Sequence, residues 1–356
     1  MRSAYLVAVI VAIILGFAVG ALRLVSTGDR RQRGLIWIAI LLLVGLRPQG
    51  LMAAESEAPD IKVPQFQLTW GRKGKGEGEF NDPIGIAINS DDHILITDFK
   101  NRRVQKFSSS GKFLSSFSVP GNPSGIAIDG RGHIYVAQFG EDCISVYLPS
   151  GKLLRRWGRN GTGDGEFHQP AGLAIGPDGS VFLGDDVNRR IQKFDAKGRF
   201  LAKWGEPGTG PGQFGGPQVS KLPPGFRTSG PNFLVFDSAG NLLVTGGRGG
   251  RVQKFTQSGK FLAAWGSNKT GVGNFGGHVT LPGPTGIAID PKGRFWVAAT
   301  NNRVQLFSAD GKYIVGFGSE GSKPSQFRTP HGLAVDSAGH LYVVDTRNHR
   351  IQKFAP

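Results

Sequence analysis

Short apolar runs recur along most of the chain, each separated from the next by polar or glycine-containing turns. Six copies of a Pro-initiated apolar segment occupy residues 83–89, 123–129, 170–176, 231–237, 284–290 and 330–336. Each copy is followed by a turn, by an alternating run such as "HLYVVD", and then by a run such as "RIQKF". These runs are rich in Val, Ile, Phe and Tyr, so the pattern predicts three consecutive short strands in every repeat.

A fourth strand follows in five of the six repeats. After a hairpin such as "SGKF", the chain reads "FLSSF", "LLRRWG", "FLAKWG", "FLAAWG" or "YIVGFG". Six units of four short antiparallel strands predict an all-β fold, a six-bladed β-propeller. A single four-stranded unit cannot bury both of its faces, whereas radial stacking buries them against neighbouring units.

The sixth repeat lacks its fourth strand, because the sequence ends two residues after "RIQKF". The segment "QFQLTWG", residues 65–71, precedes the first repeat and carries the same aromatic–Gly ending. We therefore predict that this N-terminal strand pairs with the last strand and closes the ring. Closure removes the free sheet edges that would otherwise promote aggregation.

The region before the repeats has a different character. Residues 4–22 form an uncharged, mostly apolar run, an Arg-rich loop follows, and residues 35–46 are again apolar. One interpretation is two membrane passes with the Arg-rich loop in the cytoplasm. The other is a signal peptide over residues 29–54. We thus predict one or two hydrophobic helices in a membrane-anchor or signal region (1–54), a linker (55–64) and the propeller (65–356).

Both interpretations of the N-terminal region place the propeller outside the cytoplasm. The protein is expected to be anchored in the cell membrane by its N-terminus, or to be secreted or periplasmic after cleavage. The formal net charge is +16, and residues after 54 carry an excess of 11 basic over acidic residues. Such a surface favours anionic partners. The single cysteine, Cys143, excludes an internal disulfide bond and a cysteine-based zinc cluster.

The repeats resemble those of the NHL family over residues 65–356. The shared motifs are Pro-x-Gly-[Ile/Leu]-Ala-[Ile/Val]-Asp, Asp-x-x-Asn-x-Arg-[Ile/Val]-Gln-Lys-Phe, Trp-Gly and Gly-x-Gly-x-Phe. The Asp-x-x-Asn-x-Arg element is intact in three repeats: Asp98, Asn101 and Arg103; Asp185, Asn188 and Arg190; Asp345, Asn348 and Arg350. We expect these residues to be structural, because Asp and Asn bond nearby backbone and Arg bridges carboxylates or carbonyls. Repeats 2, 4 and 5 depart from the element.

The residue between Pro and Gly is expected to stand at the mouth of the central channel. These residues are Ile84, Ser124, Ala171, Asn232, Thr285 and His331. The amidating lyases that act on peptidyl-hydroxyglycine are similar to this family, and they hold zinc through several channel histidines. The resemblance implies a zinc ligand at His331, with His168 or His278 from neighbouring loops as further ligands. The similar calcium-dependent lactonases need channel carboxylates, and none of the six residues is acidic.

Two departures from the repeat lie before the fourth and fifth units, at residues 215–231 and 276–284. Loops on rigid scaffolds commonly carry function. We predict a recognition surface there. Its residues are Lys221, Phe226, Arg227, Asn232, His278, Thr285 and His331.

The sequence thus favours an exported module that binds or scaffolds a protein, a peptide or an anionic cell-envelope polymer. No catalytic residues are assigned, and no cofactor is expected. The alternative is a zinc-dependent lyase with its site in the central channel. Export argues against nucleic acid as the partner, although the basic charge alone would allow it.

Overall fold

The computed structural model describes residues 62–215, 230–247, 249–276 and 283–356. The predicted hydrophobic helices at 4–22 and 35–46 and most of the linker lie outside these ranges. So do Lys221, Phe226, Arg227 and His278. In the ranges that are described, no helix combines the length and the apolar character that crossing a membrane requires.

The described residues form 24 strands in six four-stranded antiparallel sheets, numbered here as blades 1–6. Blade 1 contains β2 (Pro83–Ile88), β3 (Ile94–Asp98), β4 (Arg103–Phe107) and β5 (Phe113–Ser118). Blade 2 contains β6 (Pro123–Ile128), β7 (Ile134–Gln138), β8 (Cys143–Tyr147) and β9 (Leu153–Trp157). Blade 3 contains β10 (Pro170–Ile175), β11 (Val181–Asp185), β12 (Arg190–Phe194) and β13 (Phe200–Trp204).

The remaining blades repeat the same order. Blade 4 contains β14 (Pro231–Phe236), β15 (Leu242–Gly246), β16 (Arg251–Phe255) and β17 (Phe261–Trp265). Blade 5 contains β18 (Pro284–Ile289), β19 (Phe295–Ala299), β20 (Arg303–Phe307) and β21 (Tyr313–Phe317). Blade 6 contains β22 (Pro330–Val335), β23 (Leu341–Asp345), β24 (Arg350–Phe354) and β1 (Phe66–Trp70). A 3₁₀ turn, Thr346–Asn348, precedes β24.

Blade 6 is completed by the N-terminal strand, as the sequence predicts. Strand β1 pairs antiparallel with β24, with Phe66 opposite Phe354 and Trp70 opposite Ile351. The Thr69 hydroxyl donates to the Ile351 carbonyl at 2.8 Å. The prediction of a six-bladed all-β propeller with a closing N-terminal strand is therefore confirmed.

The hydrophobic core is divided among the interfaces between adjacent blades. Each of six buried clusters contains residues from two neighbouring blades. In the cluster between blades 6 and 1, Tyr342 and Ile351 pack with Phe80, Ile96 and Phe107, all fully buried. Stacking thus buries both faces of every blade, which is why one blade cannot be stable alone.

The Gly of the Pro-x-Gly motif lies where the innermost strands of adjacent blades come closest. A Cβ atom on Gly286 of β18 would lie 1.9 Å from the His331 carbonyl oxygen in β22. A Cβ on Gly172 of β10 would lie 2.3 Å from the Asn232 carbonyl oxygen in β14. The glycine is therefore required by the tight inner circumference of the ring rather than by a turn.

Replacing Gly286 with Ala should lower the free energy of unfolding by about 1–3 kcal/mol, the usual cost of overpacking. The obstructing atom is a backbone carbonyl of the next blade, which cannot move without shifting β22. Chemical denaturation of the Gly286→Ala variant measures this loss. The control is Gly130→Ala, since a Cβ at Gly130 meets no atom within 4 Å; equal stability of the two variants would contradict the explanation.

Candidate ligand-binding face

The strand directions place two kinds of segment on one face of the ring, which we term the top face. It carries the connections between blades and the turns between the second and third strands. The opposite face carries the hairpins between the third and fourth strands. The Pro-x-Gly motifs also begin at the top face, so the channel mouth and the described connections between blades share one surface.

In blade 1 the Asp-x-x-Asn-x-Arg element organises a buried carboxylate. One Asp98 oxygen accepts the backbone N–H of Asn81 at 2.7 Å. The other accepts Asn101 Nδ2 and Arg103 Nε, each at 2.8 Å, and Gln105 Nε2 at 3.4 Å. Burial nevertheless raises the pKa of the Asp98 carboxyl above its ordinary value. The side chain is therefore saturated by internal donors and is not available to a ligand.

The same element holds the connection that enters blade 1. Arg103 donates from Nη1 to the Lys75 carbonyl at 2.8 Å and from Nη2 to the Gly76 carbonyl at 2.7 Å. Asn101 donates to the Gly74 carbonyl at 2.8 Å. Blades 3 and 6 make the same contacts through Asp185 and Asp345. The side chains of the element thus anchor a glycine-rich connection whose only regular pairing in the described chain is an isolated bridge, Lys73 with Phe80 in blade 1.

Blade 2 shows what happens when the connection is short. Its entering segment, residues 119–122, lacks the Gly-x-Gly-x-Phe stretch. Gln138 and Cys143 replace the Asp and the Arg at paired positions, and both are fully buried. The aspartate and the arginine are lost together, so neither residue of this pair in blade 2 is charged.

The six channel-mouth positions do not share one environment. Asn232 and Thr285 are buried and donate to carbonyls of the next blade, Pro284 at 3.3 Å and Pro330 at 2.7 Å. Ser124 and Ala171 are also buried. Ile84 and His331 are partly exposed. Asn232 and Thr285 therefore link neighbouring blades, and His331 is the polar side chain of this set that keeps access to solvent.

His331 is held by its own blade. Its Nδ1 lies 3.0 Å from the Thr329 carbonyl oxygen and 3.0 Å from Thr346 Oγ1. The Thr346 hydroxyl donates to the carbonyl of Pro83, in the adjacent blade 1, at 2.7 Å. Burial lowers the pKa of His331 to about 4, so the imidazole is neutral at neutral pH.

The described residues contain no group of three metal-ligating side chains. His168 is partly buried, and its backbone N–H donates to Asp185 at 2.8 Å. His278 lies outside the described ranges. A zinc ligand set around His331 is thus not assembled by the described part of the chain.

The low pKa of His331 predicts a stability that depends on pH. Between pH about 6.5 and 4, the unfolded chain binds a proton that the folded chain excludes, so stability falls as pH falls through this window. By pH 4 this group should lower the free energy of unfolding by about 3 kcal/mol. The measurement compares melting temperatures of the wild type and His331→Gln from pH 7 to 4. Parallel pH profiles would contradict the prediction, because other groups contribute equally to both proteins.

The top face at the closure seam also carries exposed basic side chains that we term the seam cluster. Its members come from three separate stretches of the sequence: Lys73, Lys75, Arg102, Lys323 and Arg328. Sequence reasoning missed this cluster, although "GRKGKGE" and "SEGSKPSQFR" showed its charges. What the sequence did not show is that blades 6 and 1 bring these stretches to one side of the ring.

The seam cluster differs from nearby basic residues that are neutralised. Lys100 and Arg347 both pair with Asp82, at 2.7 and 3.0 Å. Arg72 pairs with Glu79 at 2.8 Å. In the described part of the chain, the five members of the seam cluster make no ion pair. Their charge is therefore available to an anionic ligand.

Comparison with known proteins supports the repeat assignment. The family model for the NHL repeat matches residues 80–107 and 327–354. Peptidyl-glycine alpha-amidating monooxygenase B of Xenopus laevis is 43% identical over 79 residues, which are 20% of this chain and 9% of that protein. NHL repeat-containing protein 3 of Homo sapiens is 28% identical over 181 residues, 35% of this chain and 52% of that protein. The match thus spans about half the length of the human relative and less than a tenth of the length of the Xenopus relative.

Solved structures agree on the architecture. A streptogramin B lyase structure superposes with a TM-score of 0.55 at 15% identity, covering 81% of this chain and 97% of the other. Likeness at that identity shows the fold alone. The family match, the curated relatives and the ring geometry lead to one assignment. This chain carries NHL repeats, matched by the family model in blades 1 and 6, within a six-bladed β-propeller.

Proposed function

We propose that the propeller is an exported binding module, and that its top face at the closure seam binds an acidic protein segment, a peptide or an anionic cell-envelope polymer. The observation that carries the proposal is the seam cluster, in which five exposed cations make no ion pair with any residue that the structure describes. A patch of one sign attracts ligands of the opposite sign and raises the rate of association.

The scaffold beneath the seam cluster supports the same proposal. The connection that bears Lys73 and Lys75 is fixed by Arg103, Asn101 and Asp98 through the contacts described above. Binding to a connection that is already held in place costs less conformational entropy than binding that must first order a mobile segment of the protein. The surface is therefore suited to binding, while the buried carboxylates remain unavailable for chemistry.

The N-terminal region extends the proposal to location. Residues 1–54 would tether the propeller to the membrane or direct its export before cleavage, and the predicted loop residues Lys221, Phe226, Arg227 and His278 would widen the binding surface. Protease treatment of intact cells tests the topology. Digestion of the propeller from outside the cytoplasmic membrane supports export, and complete protection beneath it argues for an internal location.

Charge neutralisation tests the binding proposal. The variant Lys73→Gln/Lys75→Gln/Arg102→Gln removes three charges from the seam cluster and should weaken binding of a poly-glutamate peptide by about tenfold or more at low salt. The matched control, Lys112→Gln/Lys152→Gln/Lys260→Gln, removes three exposed charges from hairpins on the opposite face. Titration calorimetry measures both. Equal affinities would overturn the placement of the site on the top face.

The zinc-dependent lyase remains a second candidate because of the identity to an amidating monooxygenase. His331 would be its one channel ligand among the described residues. We expect the purified full-length chain to contain substoichiometric zinc, and His331→Ala to leave that content unchanged. Elemental analysis measures the zinc content of both proteins. Stoichiometric zinc in the wild type that is lost in the variant would favour the lyase.

A further inference from the structure

The Arg–Asp pair of the repeat is broken unevenly around the ring. In blades 1, 3 and 6, the Arg at the start of the third strand donates from Nε to the Asp at the end of the second, at 2.8 Å each time. In blade 4, Gly246 stands opposite Arg251, and in blade 5, Ala299 stands opposite Arg303. These two neighbouring blades have therefore lost the aspartate of the pair and kept the arginine.

In blade 4 the guanidinium remains in its usual position. Its Nη atoms donate to the carbonyls of Thr209, Gly210 and Gln213, as the other arginines do in their own connections. Its Nε, however, is buried and has no acceptor. Burial lowers the pKa of Arg251, and no carboxylate of the described residues opposes that effect.

Blade 4 has room for a Cβ atom at the position where the Asp of the other blades stands. A Cβ built on Gly246 would meet no atom closer than 3.5 Å. The glutamine two residues after the Arg has also lost its hydrogen bond to the aspartate. Gln192 of blade 3 donates both to a carbonyl and to Asp185, whereas Gln253 of blade 4 donates only to the Gln213 carbonyl at 2.8 Å.

Blade 5 repeats the situation with a different side chain. Ala299 is fully buried and cannot accept a hydrogen bond through its side chain. Arg303 Nε is buried without an acceptor, and the guanidinium makes no other hydrogen bond or ion pair in the described part of the chain. Two neighbouring blades thus each hold a buried, unpaired donor on a cation.

A buried donor on an unpaired cation destabilises the fold unless something neutralises the charge. Blade 2 avoids the cost by losing both members of the pair. Blades 4 and 5 do not, so their sites call for an external anion. The Nε atoms are closed to solvent, and therefore only an anion of a few atoms would fit.

We propose that Arg251 and Arg303 each bind a small monovalent anion, such as chloride, in the place that the carboxylates of Asp98, Asp185 and Asp345 fill in the other blades. The two anions would complete the anchoring of the connections into blades 4 and 5. This inference stands independently of the proposed function, because it concerns internal sites rather than the seam cluster.

Thermal unfolding of the full-length chain in sodium chloride and in sodium gluconate, at equal ionic strength, tests the proposal. Gluconate is too large to enter either site. The melting temperature should rise with chloride, by about 2–4 °C for each tenfold increase above the dissociation constant. Identical melting temperatures in the two salts at all concentrations would overturn the proposal.

Variants that supply or remove a carboxylate sharpen the test. Gly246→Asp/Ala299→Asp should raise the melting temperature in gluconate and abolish the response to chloride. The control Gly130→Asp adds one carboxylate in an open turn, away from both arginines, and should keep the response to chloride. In the opposite direction, Asp98→Gly should create a third anion site beside Arg103 and increase the response of the melting temperature to chloride. A double variant that responds to chloride like the wild type would contradict the assignment.

Bromide provides a readout that does not depend on how the variants fold. Crystals of the unmodified protein soaked in sodium bromide should show anomalous peaks beside Arg251 Nε and Arg303 Nε. No peak is expected beside Arg103, Arg190 or Arg350, whose Nε atoms already face a carboxylate. Water at both places, with no anomalous signal, would reject the anion sites.

Discussion

Deletion of residues 65–71 should abolish the cooperative unfolding transition of the propeller. The deletion removes β1, whose Trp70 packs against Phe107 of blade 1 at 5.9 Å and Tyr342 of blade 6 at 6.2 Å between ring centroids. Loss of a buried Phe or Trp side chain costs about 3–5 kcal/mol. Phe66 and Trp70 are partly buried, and their loss adds to the loss of the whole pairing with β24, so the deletion approaches the stability of a typical domain, about 5–15 kcal/mol. Near-UV circular dichroism during heating measures the transition.

A deletion of equal length provides the control for this experiment. Removing residues 55–61, in the predicted linker, should leave the melting temperature within about 2 °C of the wild type, since typical changes away from packed features are small. A synthetic peptide spanning residues 62–72 should restore part of the lost transition by pairing with β24 in trans. A 65–71 deletion that melts like the control would show that the seam does not hold the ring closed.

Replacing Asp185 with Ala should lower the free energy of unfolding by about 3–5 kcal/mol, because it leaves a buried cation unpaired. The Asp185 carboxylate is fully buried and accepts Arg190 Nε at 2.8 Å, with Asn188, Gln192 and the His168 backbone as further donors. The Arg190 side chain is only 9% exposed, so water cannot replace the lost acceptor. Denaturant titration of the wild type and the variant measures the difference.

The matched control is Asp178→Ala. This carboxylate is 48% exposed and pairs with Lys193 at 3.1 Å, so its removal should cost less than about 1 kcal/mol. The Asp185→Ala variant should also be less unstable in chloride than in gluconate, since it recreates the arrangement of blades 4 and 5. Similar losses in both variants would mean that burial of the Arg190 pair contributes little.

The ring could be derived from the sequence because its signals are local. Each strand is a short apolar run between turn residues, and the unpaired "RIQKF" at the end matched the extra strand that carries Trp70. The Asp-x-x-Asn-x-Arg element was also recognisable, because short polar side chains at fixed spacing bond the nearby backbone. These features depend on neighbours within one repeat.

The candidate site was harder to derive because it depends on how the blades stack. Asn232 and Thr285 were expected at the channel mouth, yet the approach of adjacent inner strands buries them and satisfies them across blades. The seam cluster combines Lys73 and Lys323 from opposite ends of the sequence, and no spacing rule joins them. The predicted surface around Lys221 lies outside the described residues and stays a prediction.

The seam between β1 and β24 also shapes how the ring is made. The hydrogen bond from Thr69 to Ile351 spans 282 residues, whereas paired residues within blades 1–5 lie at most 15 residues apart in the sequence. Long-range contacts form slowly because the loop between them must close first. The five contiguous blades can therefore form early, while β1 waits unpaired with its aromatic side chains unprotected. Ring closure would then be the slow step of folding, and an intermediate with an open ring would be the species most prone to associate with other chains.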